Sequence, residues 1–366
     1  MKKKLFITGS TGIPARYGGF ETFAENISRQ LSKYFDVTVI CSSHYYTSEE
    51  RSPVWNSVKR IFIDKVPNGI QSILYDIKGL SLSVKGQADY ILQLGTGCGI
   101  FLPFIRGLRK TRLFIHVDGI EWKRPKWNFI AKTFLRAGHL VGTYKADLIL
   151  IDNTAILDEI PRVFHKKTIT VNYGGDHLPL KKDSHETDKT DYSLVIARAE
   201  PENNLEMILS VFSKLKQKKL ILISNWDKTS YGRRLFRVYC SHPNITMLKA
   251  IYDNRLLLHQ YRTNAFCYIH GHSAGGTNPS LVEAMYTGIP VIAFDNEFNR
   301  ITTHNAAFYF NTVSQIENIL TNSNYSSFAE SAEKLKKYAT KNYLWQNAVN
   351  KIMEAVKGFE KKETEV

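Results

Sequence analysis

Short apolar runs alternating with segments of helical period set the rhythm of this chain. The runs fall at about 4–8, 37–42, 59–63, 89–94, 112–117, 147–152 and 168–172. After the first run, Phe20, Phe23, Ile27, Leu31 and Tyr34 keep the spacing of a helix that buries one face. Strand and helix in alternation predict a parallel sheet covered on both sides. A polar stretch at 181–191, rich in Lys, Asp, Ser, His and Thr, breaks the rhythm and reads as a linker. The alternation restarts at 192–197, 220–224, 245–248, 265–269, 291–294 and 307–310, and after Ser314 the chain turns helical. Ala348, Ile352, Ala355 and Phe359 mark one face of a terminal helix. The expected fold class is therefore α/β, with two doubly wound Rossmann-like domains at 1–180 and 192–343 and a terminal helix at 344–366.

Composition narrows the picture a little. A chain of 366 residues is long for one core, so two domains are expected. The net charge is +15, and residues 1–180 carry most of it, with 25 Lys and Arg against 15 Asp and Glu. Such a balance suits anionic ligands, whether nucleotide diphosphates, acidic lipids or nucleic acid, and does not choose among them. Cys41, Cys98, Cys240 and Cys267 are scattered without metal-ligand spacing, as expected of free thiols in a reducing compartment. No apolar run approaches the length of a membrane span. Met1-Lys2-Lys3-Lys4 leads into a strand soon interrupted by Gly9, Ser10 and Thr11, which is not the pattern of a secretory signal. A cytoplasmic protein is the expectation.

Two segments carry candidate chemistry. In the second half, the strand-like run ending at Ile269 enters His-Gly-His-Ser-Ala-Gly-Gly-Thr-Asn-Pro, and an apolar-periodic helix follows with Glu283 on its second turn. Asn278 can cap that helix, Pro279 costs no hydrogen bond at its first position, and a helix N-terminus favours an anion. Gly275 and Gly276 let backbone approach a ligand closely. A plain strand–turn–helix joint is the competing reading. In the first half, Gly9 to Glu21 is a second glycine-bearing loop between strand and helix, and it contains Gly18 and Gly19.

These two loops, together with Val117-Asp118-Gly119-Ile120-Glu121-Trp122-Lys123-Arg124, Tyr173-Gly174-Gly175-Asp176-His177 and Ala197-Arg198-Ala199-Glu200-Pro201-Glu202-Asn203-Asn204, resemble the retaining glycosyltransferases of family four. Within that family they are most similar to the bacterial rhamnosyltransferase-like branch of capsule and exopolysaccharide synthesis. The resemblance implies a GT-B fold, in which two Rossmann-like domains face each other across a cleft and a terminal helix commonly packs back on the N-terminal domain. It implies a nucleotide-sugar donor as substrate, no cofactor and no metal. Arg198 matches the position whose guanidinium holds the donor diphosphate, and a planar, permanently charged fork suits that task. Gly18, Gly19, Gly275, Gly276, Thr277 and Asn278 would line the donor, and Glu283 would bind the ribose hydroxyls. The chain departs from the pattern twice: Asn203 and Asn204 stand where a lysine is usual, and Gly275 stands where a first glutamate is usual.

For the acceptor side, His116, Asp118 and Glu121 follow a strand and could orient the acceptor hydroxyl or take its proton. A cap at Asp118 and a core role for His116 are the structural alternatives. Family members are generally thought to use a front-face route in which the leaving phosphate helps accept that proton. The roles of Arg16 and Glu21 are left open. Lys123, Arg124 and Lys126, with Lys132 and Arg136, interleave with Trp122, Trp127, Phe129 and Phe134, which reads either as a solvated helix face or as a surface for an anionic leaflet. Five such charges contribute about 5 kcal/mol at most, enough for reversible attachment. The expected partners are thus a nucleotide-sugar donor, a lipid-diphosphate-linked saccharide acceptor and the cytoplasmic face of the membrane, with dTDP-rhamnose the donor the branch suggests. A nucleotide-sugar epimerase or short-chain dehydrogenase is the alternative enzyme, because Thr8-Gly9-Ser10-Thr11-Gly12 imitates a dinucleotide-binding turn. However, the second strand ends in Ile40-Cys41-Ser42-Ser43 without a carboxylate, and no Tyr-x-x-x-Lys pair occurs. A non-enzymatic nucleic-acid module fits the charge but has no recognition motif.

Overall fold

The computed structural model describes residues 2–16, 18–67, 69–117, 119–124, 127–178, 191–252, 254–323 and 325–364. The chain divides into two compact units, one made of Met1–Lys123, Trp127–Gly174 and Trp345–Val366, the other of Arg124–Lys126 and Gly175–Leu344. The division falls between Gly174 and Gly175. The expected linker at 181–191 lies outside the described residues apart from Asp191.

In the first unit, β1 (Lys4–Thr8), β2 (Asp36–Ser42), β3 (Val54–Trp55), β4 (Val58–Ile63), β5 (Tyr90–Leu94), β6 (Arg112–Val117), β7 (Leu148–Ile151) and β8 (Thr168–Thr170) form one sheet. Its order is β3-β4-β2-β1-β5-β6-β7-β8, parallel except at β3–β4. Every residue of β5 and β7 is buried, as a parallel sheet covered on both faces requires. Helices α1 (Gly19–Leu31), α2 (Ile70–Lys85) and α3 (Phe129–Lys145) belong to this unit. The pattern of apolar runs missed β3. It is a two-residue edge strand, joined to β4 through Asn56 and Ser57 at φ 43° and 67°, a tight hairpin without the glycine that would signal it.

The second unit holds β9 (Tyr192–Ile196), β10 (Lys219–Ser224), β11 (Ile245–Lys249), β12 (Cys267–His270), β13 (Val291–Phe294) and β14 (Phe308–Phe310). All run parallel in the order β11-β10-β9-β12-β13-β14. Its helices are α4 (Leu205–Lys214), α5 (Ser230–Tyr239), α6 (Arg255–Asn264), α7 (Pro279–Thr287), α8 (Glu297–Thr302), α9 (Val313–Asn322) and α10 (Tyr325–Asn342). Leu205, Ile208, Leu209 and Phe212 of α4 pack with Leu220, Leu222, Ile292 and Phe310 into one buried cluster.

The terminal helix α11 (Trp345–Thr364) belongs to the first unit and packs on α1. Trp345, fully buried, meets the rings of Phe23 and Tyr173 with centroids at 5.9 and 4.7 Å, and Phe359 stacks on Phe114 at 5.7 Å.

Candidate active site

In an open parallel sheet, ligands bind beyond the carboxyl ends of the strands, where the strand order reverses. In the second unit the reversal lies between β9 and β12. Arg198 follows β9 on an exposed loop, and the His-Gly-His segment follows β12, so both candidate donor segments meet at the switch point. Asn278 caps α7: its Oδ1 accepts from the Ser280 amide at 3.1 Å and from the Ser280 hydroxyl at 2.8 Å. With Pro279 lacking an N–H and Leu281 and Val282 donating to the Asn278 carbonyl, the first-turn amides of α7 are engaged. What α7 offers an anion is the positive field of its N-terminus rather than free first-turn donors. Thr277 is buried and Gly276 sits at φ +97°, a conformation that favours glycine. A Cβ at Gly275 would lie 2.7 Å from Phe298 Cζ, so the ring of Phe298 fills the space where a carboxylate-bearing side chain would start.

The two asparagines that replace the usual lysine build a clamp. The 3-10 turn Pro201–Asn203 ends in Asn204, whose left-handed backbone (φ 50°) launches α4. Asn204 Nδ2 donates to the Gly271 carbonyl at 2.8 Å, and the Glu202 carbonyl accepts from Ser273 N at 2.8 Å and from Ser273 Oγ at 3.0 Å. Asn203 Nδ2 donates to the Arg198 carbonyl at 2.8 Å, while its Oδ1 lies 2.7 Å from His272 Nδ1. From the other side, Asn296 and Asn299 Nδ2 donate to the His272 carbonyl at 3.1 and 2.9 Å. The loop is therefore preorganised by amide side chains from two segments. Burial, then the guanidiniums of Arg124 and Arg198, push the His272 pKa down to about 3. Burial drives His270 well below its ordinary value as well.

Glu283 projects from α7 into a buried ion pair with Arg262 of α6, and its other oxygen lies 3.3 Å from His177 Nε2. A ribose reaching Glu283 would share it with these partners, since each carboxylate oxygen can accept more than one hydrogen bond. Arg262 carries no signal in the sequence beyond a helical basic residue. His177 closes the Tyr173-Gly174-Gly175-Asp176-His177 stretch, where its residue type alone points to no partner.

In the first unit the strand order reverses between β1 and β5, and the Gly9–Gly19 loop follows β1. Glu21, buried, accepts from the Thr11 amide at 2.7 Å, and Glu25 accepts from the Ala15 amide at 2.6 Å. These two carboxylates shape the loop from the first turns of α1. Gly18 is the extended N-cap of α1 and Gly19 its first residue, without a side-chain cap. Arg16 pairs with Glu50 and lies over the Tyr46 ring at 5.3 Å.

The remaining candidate residues sit in differing surroundings. His116 is 3% exposed and sits against Phe20 and Phe23, with ring centroids at 5.5 and 4.9 Å. Burial pushes its pKa down to about 4. It packs into the β6–α1 contact, and its buried Nδ1 makes no hydrogen bond among the described residues. Arg124 is 9% exposed and pairs with buried Glu202, its Nε donating at 2.9 Å, so it is not a free charge for a membrane. Lys123 is exposed but pairs with Glu159. Glu121 accepts from Trp127 Nε1 at 3.0 Å. Asp118 and Lys126 lie outside the described residues.

Comparison with known proteins agrees with this architecture. Residues 179–342 match the family described as glycosyl transferases group 1, and residues 2–176 match a domain of unknown function, DUF1972. No curated protein matches the sequence. Among solved structures, a sucrose-phosphate synthase from Thermosynechococcus elongatus aligns over 99% of this chain and 100% of its own, at 12% identity and a TM-score of 0.79. Anabaena HepE, solved in complex with UDP-glucose, aligns over 98% and 100%, at 14% identity and 0.75. A glycosyltransferase from Rickettsia africae aligns over 98% of both chains, at 12% identity and 0.68. The fold is GT-B, two Rossmann-like α/β domains, and the second half matches the glycosyl transferases group 1.

Proposed function

We propose that this chain is a glycosyltransferase that takes a sugar from a nucleotide-sugar donor held in its second unit. The carrying observation is the switch point between β9 and β12, where an exposed arginine and a capped helix N-terminus meet within a group 1 glycosyltransferase domain. Arg198 would hold the donor diphosphate with the field of α7, and Glu283 would bind the ribose. With this charge met by protein groups, transfer proceeds without a divalent metal. The leaving phosphate oxygen takes the acceptor proton with retention, a route that needs no protein base and accords with the burial of His116. Neither the dehydrogenase nor the nucleic-acid reading is favoured by the comparisons.

The finer reading is transfer of rhamnose from dTDP-rhamnose to a saccharide on a lipid diphosphate at the cytoplasmic face of the membrane, in the synthesis of a cell-surface polysaccharide. Among the described residues no helix is long and apolar enough to cross a membrane. Support for a peripheral contact comes from α3, whose buried residues are Gly138, His139, Gly142 and Thr143, while Phe129 and Ile130 are 83% and 78% exposed. Leu140 and Tyr144 also face outward, α3 contains no Asp or Glu, and Phe104 on the neighbouring 3-10 segment is 79% exposed. Apolar and basic groups on one helix suit a shallow seat on an anionic leaflet. Within the basic and aromatic cluster, the surface proposed is its α3 part, Phe129 with Lys132 and Arg136, rather than Lys123 and Arg124. A panel of UDP-, GDP- and dTDP-sugars offered with an undecaprenyl-diphosphate-linked glucose acceptor tests the proposal, scored by released nucleotide, product mass and anomeric configuration. Nucleotide release with dTDP-rhamnose is expected, and no release with any donor would overturn the proposal.

A further inference from the structure

A donor sugar presents hydroxyls that need acceptors, yet Arg198 can only donate. Position 275 has no side chain, and Phe298 occupies the space beside it. The group three residues upstream on the same loop is His272. Its tautomer follows from the hydrogen-bond chain. The Arg198 carbonyl can only accept, so the Asn203 group 2.8 Å away is the amide Nδ2. Asn203 Oδ1 is then turned to His272 Nδ1 at 2.7 Å, and Nδ1 must carry the proton. In the neutral ring Nε2 is left as an acceptor. The ring's backbone is fixed by Asn296 and Asn299 on one side and, through Gly271, by Asn204 on the other.

We propose that His272 is a specificity-determining residue of the donor site, whose Nε2 accepts a hydrogen bond from a hydroxyl of the donor sugar in place of the carboxylate absent at position 275. The assignment rests on the donor reading of the second unit. The charged and titratable groups around the ring favour this form. Arg198 and Arg124 oppose a third positive charge, Glu202 is committed to Arg124, and His270, 6.0 Å away ring to ring, is itself buried and neutral. With its proton on Nδ1 and its ordinary basicity suppressed, His272 stays an acceptor across the physiological pH range.

Two measurements test this. Nitrogen-edited NMR of the ring should show a neutral imidazole protonated on Nδ1 from pH 5 to 8; a titration near the ordinary histidine value, or a proton on Nε2, overturns it. Calorimetric titration should then compare UDP, GDP and dTDP with their sugar conjugates. His272→Ala should leave the bare diphosphates within about twofold and weaken the preferred sugar conjugate about tenfold, the worth of one buried hydrogen bond. His272→Gln, which retains an acceptor, should recover part of the loss. Equal weakening of diphosphate and conjugate, or no change in either, contradicts the assignment. If no nucleoside diphosphate binds the parent, the donor reading itself fails and the role of His272 goes with it.

Discussion

Replacing Asn203 by alanine removes the amide that ties the loop after β9 to the loop after β12. Asn203 is 5% exposed, and its side chain makes one hydrogen bond to the Arg198 carbonyl at 2.8 Å and one from His272 at 2.7 Å. Each partner left unpaired costs about 1–3 kcal/mol when buried. The Arg198 carbonyl keeps the Glu200 amide as a donor at 2.8 Å, so the cost falls mainly on His272 and amounts to about 1–3 kcal/mol. For a unit of this size that lowers the thermal midpoint by about 2–12 °C. Differential scanning calorimetry of parent, Asn203→Ala, His272→Ala and the double variant closes a double-mutant cycle. A coupling of about 1 kcal/mol or more between the two sites is expected. An unchanged midpoint, or losses that simply add, would refute the clamp and with it the inferred tautomer of His272.

The remaining predictions test other parts of the account. Stability should climb between pH 4.5 and 6.5, because His116 (about 4), His272 (about 3) and His270 stay neutral when folded but bind protons when unfolded. Asp76, pushed up to about 8 by burial, acts with the opposite sign, since it keeps its proton when folded and loses it when unfolded. With His139, whose pKa burial also lowers, on the same side, the histidines outweigh Asp76 by at least about 3 kcal/mol per pH unit near pH 5; the gain flattens to a maximum near pH 7 and gives way to a decline of less than about 1 kcal/mol per unit towards pH 8. Urea midpoints across that range check both limbs; a maximum below pH 5 would contradict them, and Asp76→Asn should remove the decline. Arg262→Met should destabilise the second unit by about 3–5 kcal/mol, since the buried Glu283 carboxylate loses its guanidinium partner. Glu283→Gln breaks the same buried pair and should also lower the melting temperature, while weakening nucleotide binding in the protein that remains folded; unchanged calorimetric affinity would make Glu283 purely structural. Phe129→Ser with Ile130→Ser should abolish sedimentation with phosphatidylglycerol vesicles while leaving the melting temperature within about 1 °C, as both side chains are solvent-exposed; undiminished vesicle binding would exclude this face of α3.

Most of the sheet was legible because parallel strands buried on both faces are continuous apolar runs, and 4–8, 112–117 and 291–294 coincide with β1, β6 and β13. The edge strand β3 was not, since two residues make no run. Boundaries drifted where an apolar residue closes a helix, as Ala265 does for α6, so that β12 begins at Cys267. The cap at Asn278 and the close approach at Gly275 follow from residue types with few other uses. By contrast, nothing local separates His116, which α1 walls in, from an exposed catalytic histidine, or Arg124, paired with a residue 78 positions away, from a surface charge. Asn203 and Asn204 read as the loss of a lysine because a clamp between two loops is visible only when the loops are brought together.

The central claim is that a nucleoside diphosphate seats beside Arg198 at the β9–β12 switch point. Calorimetric titration of UDP, GDP and dTDP into parent and Arg198→Ala addresses it directly. The account predicts metal-free binding of at least one of them, weakened about tenfold to 150-fold by loss of a charge-assisted contact of about 1.5–3 kcal/mol. Equal affinity in the two proteins, or no binding by the parent, would contradict it.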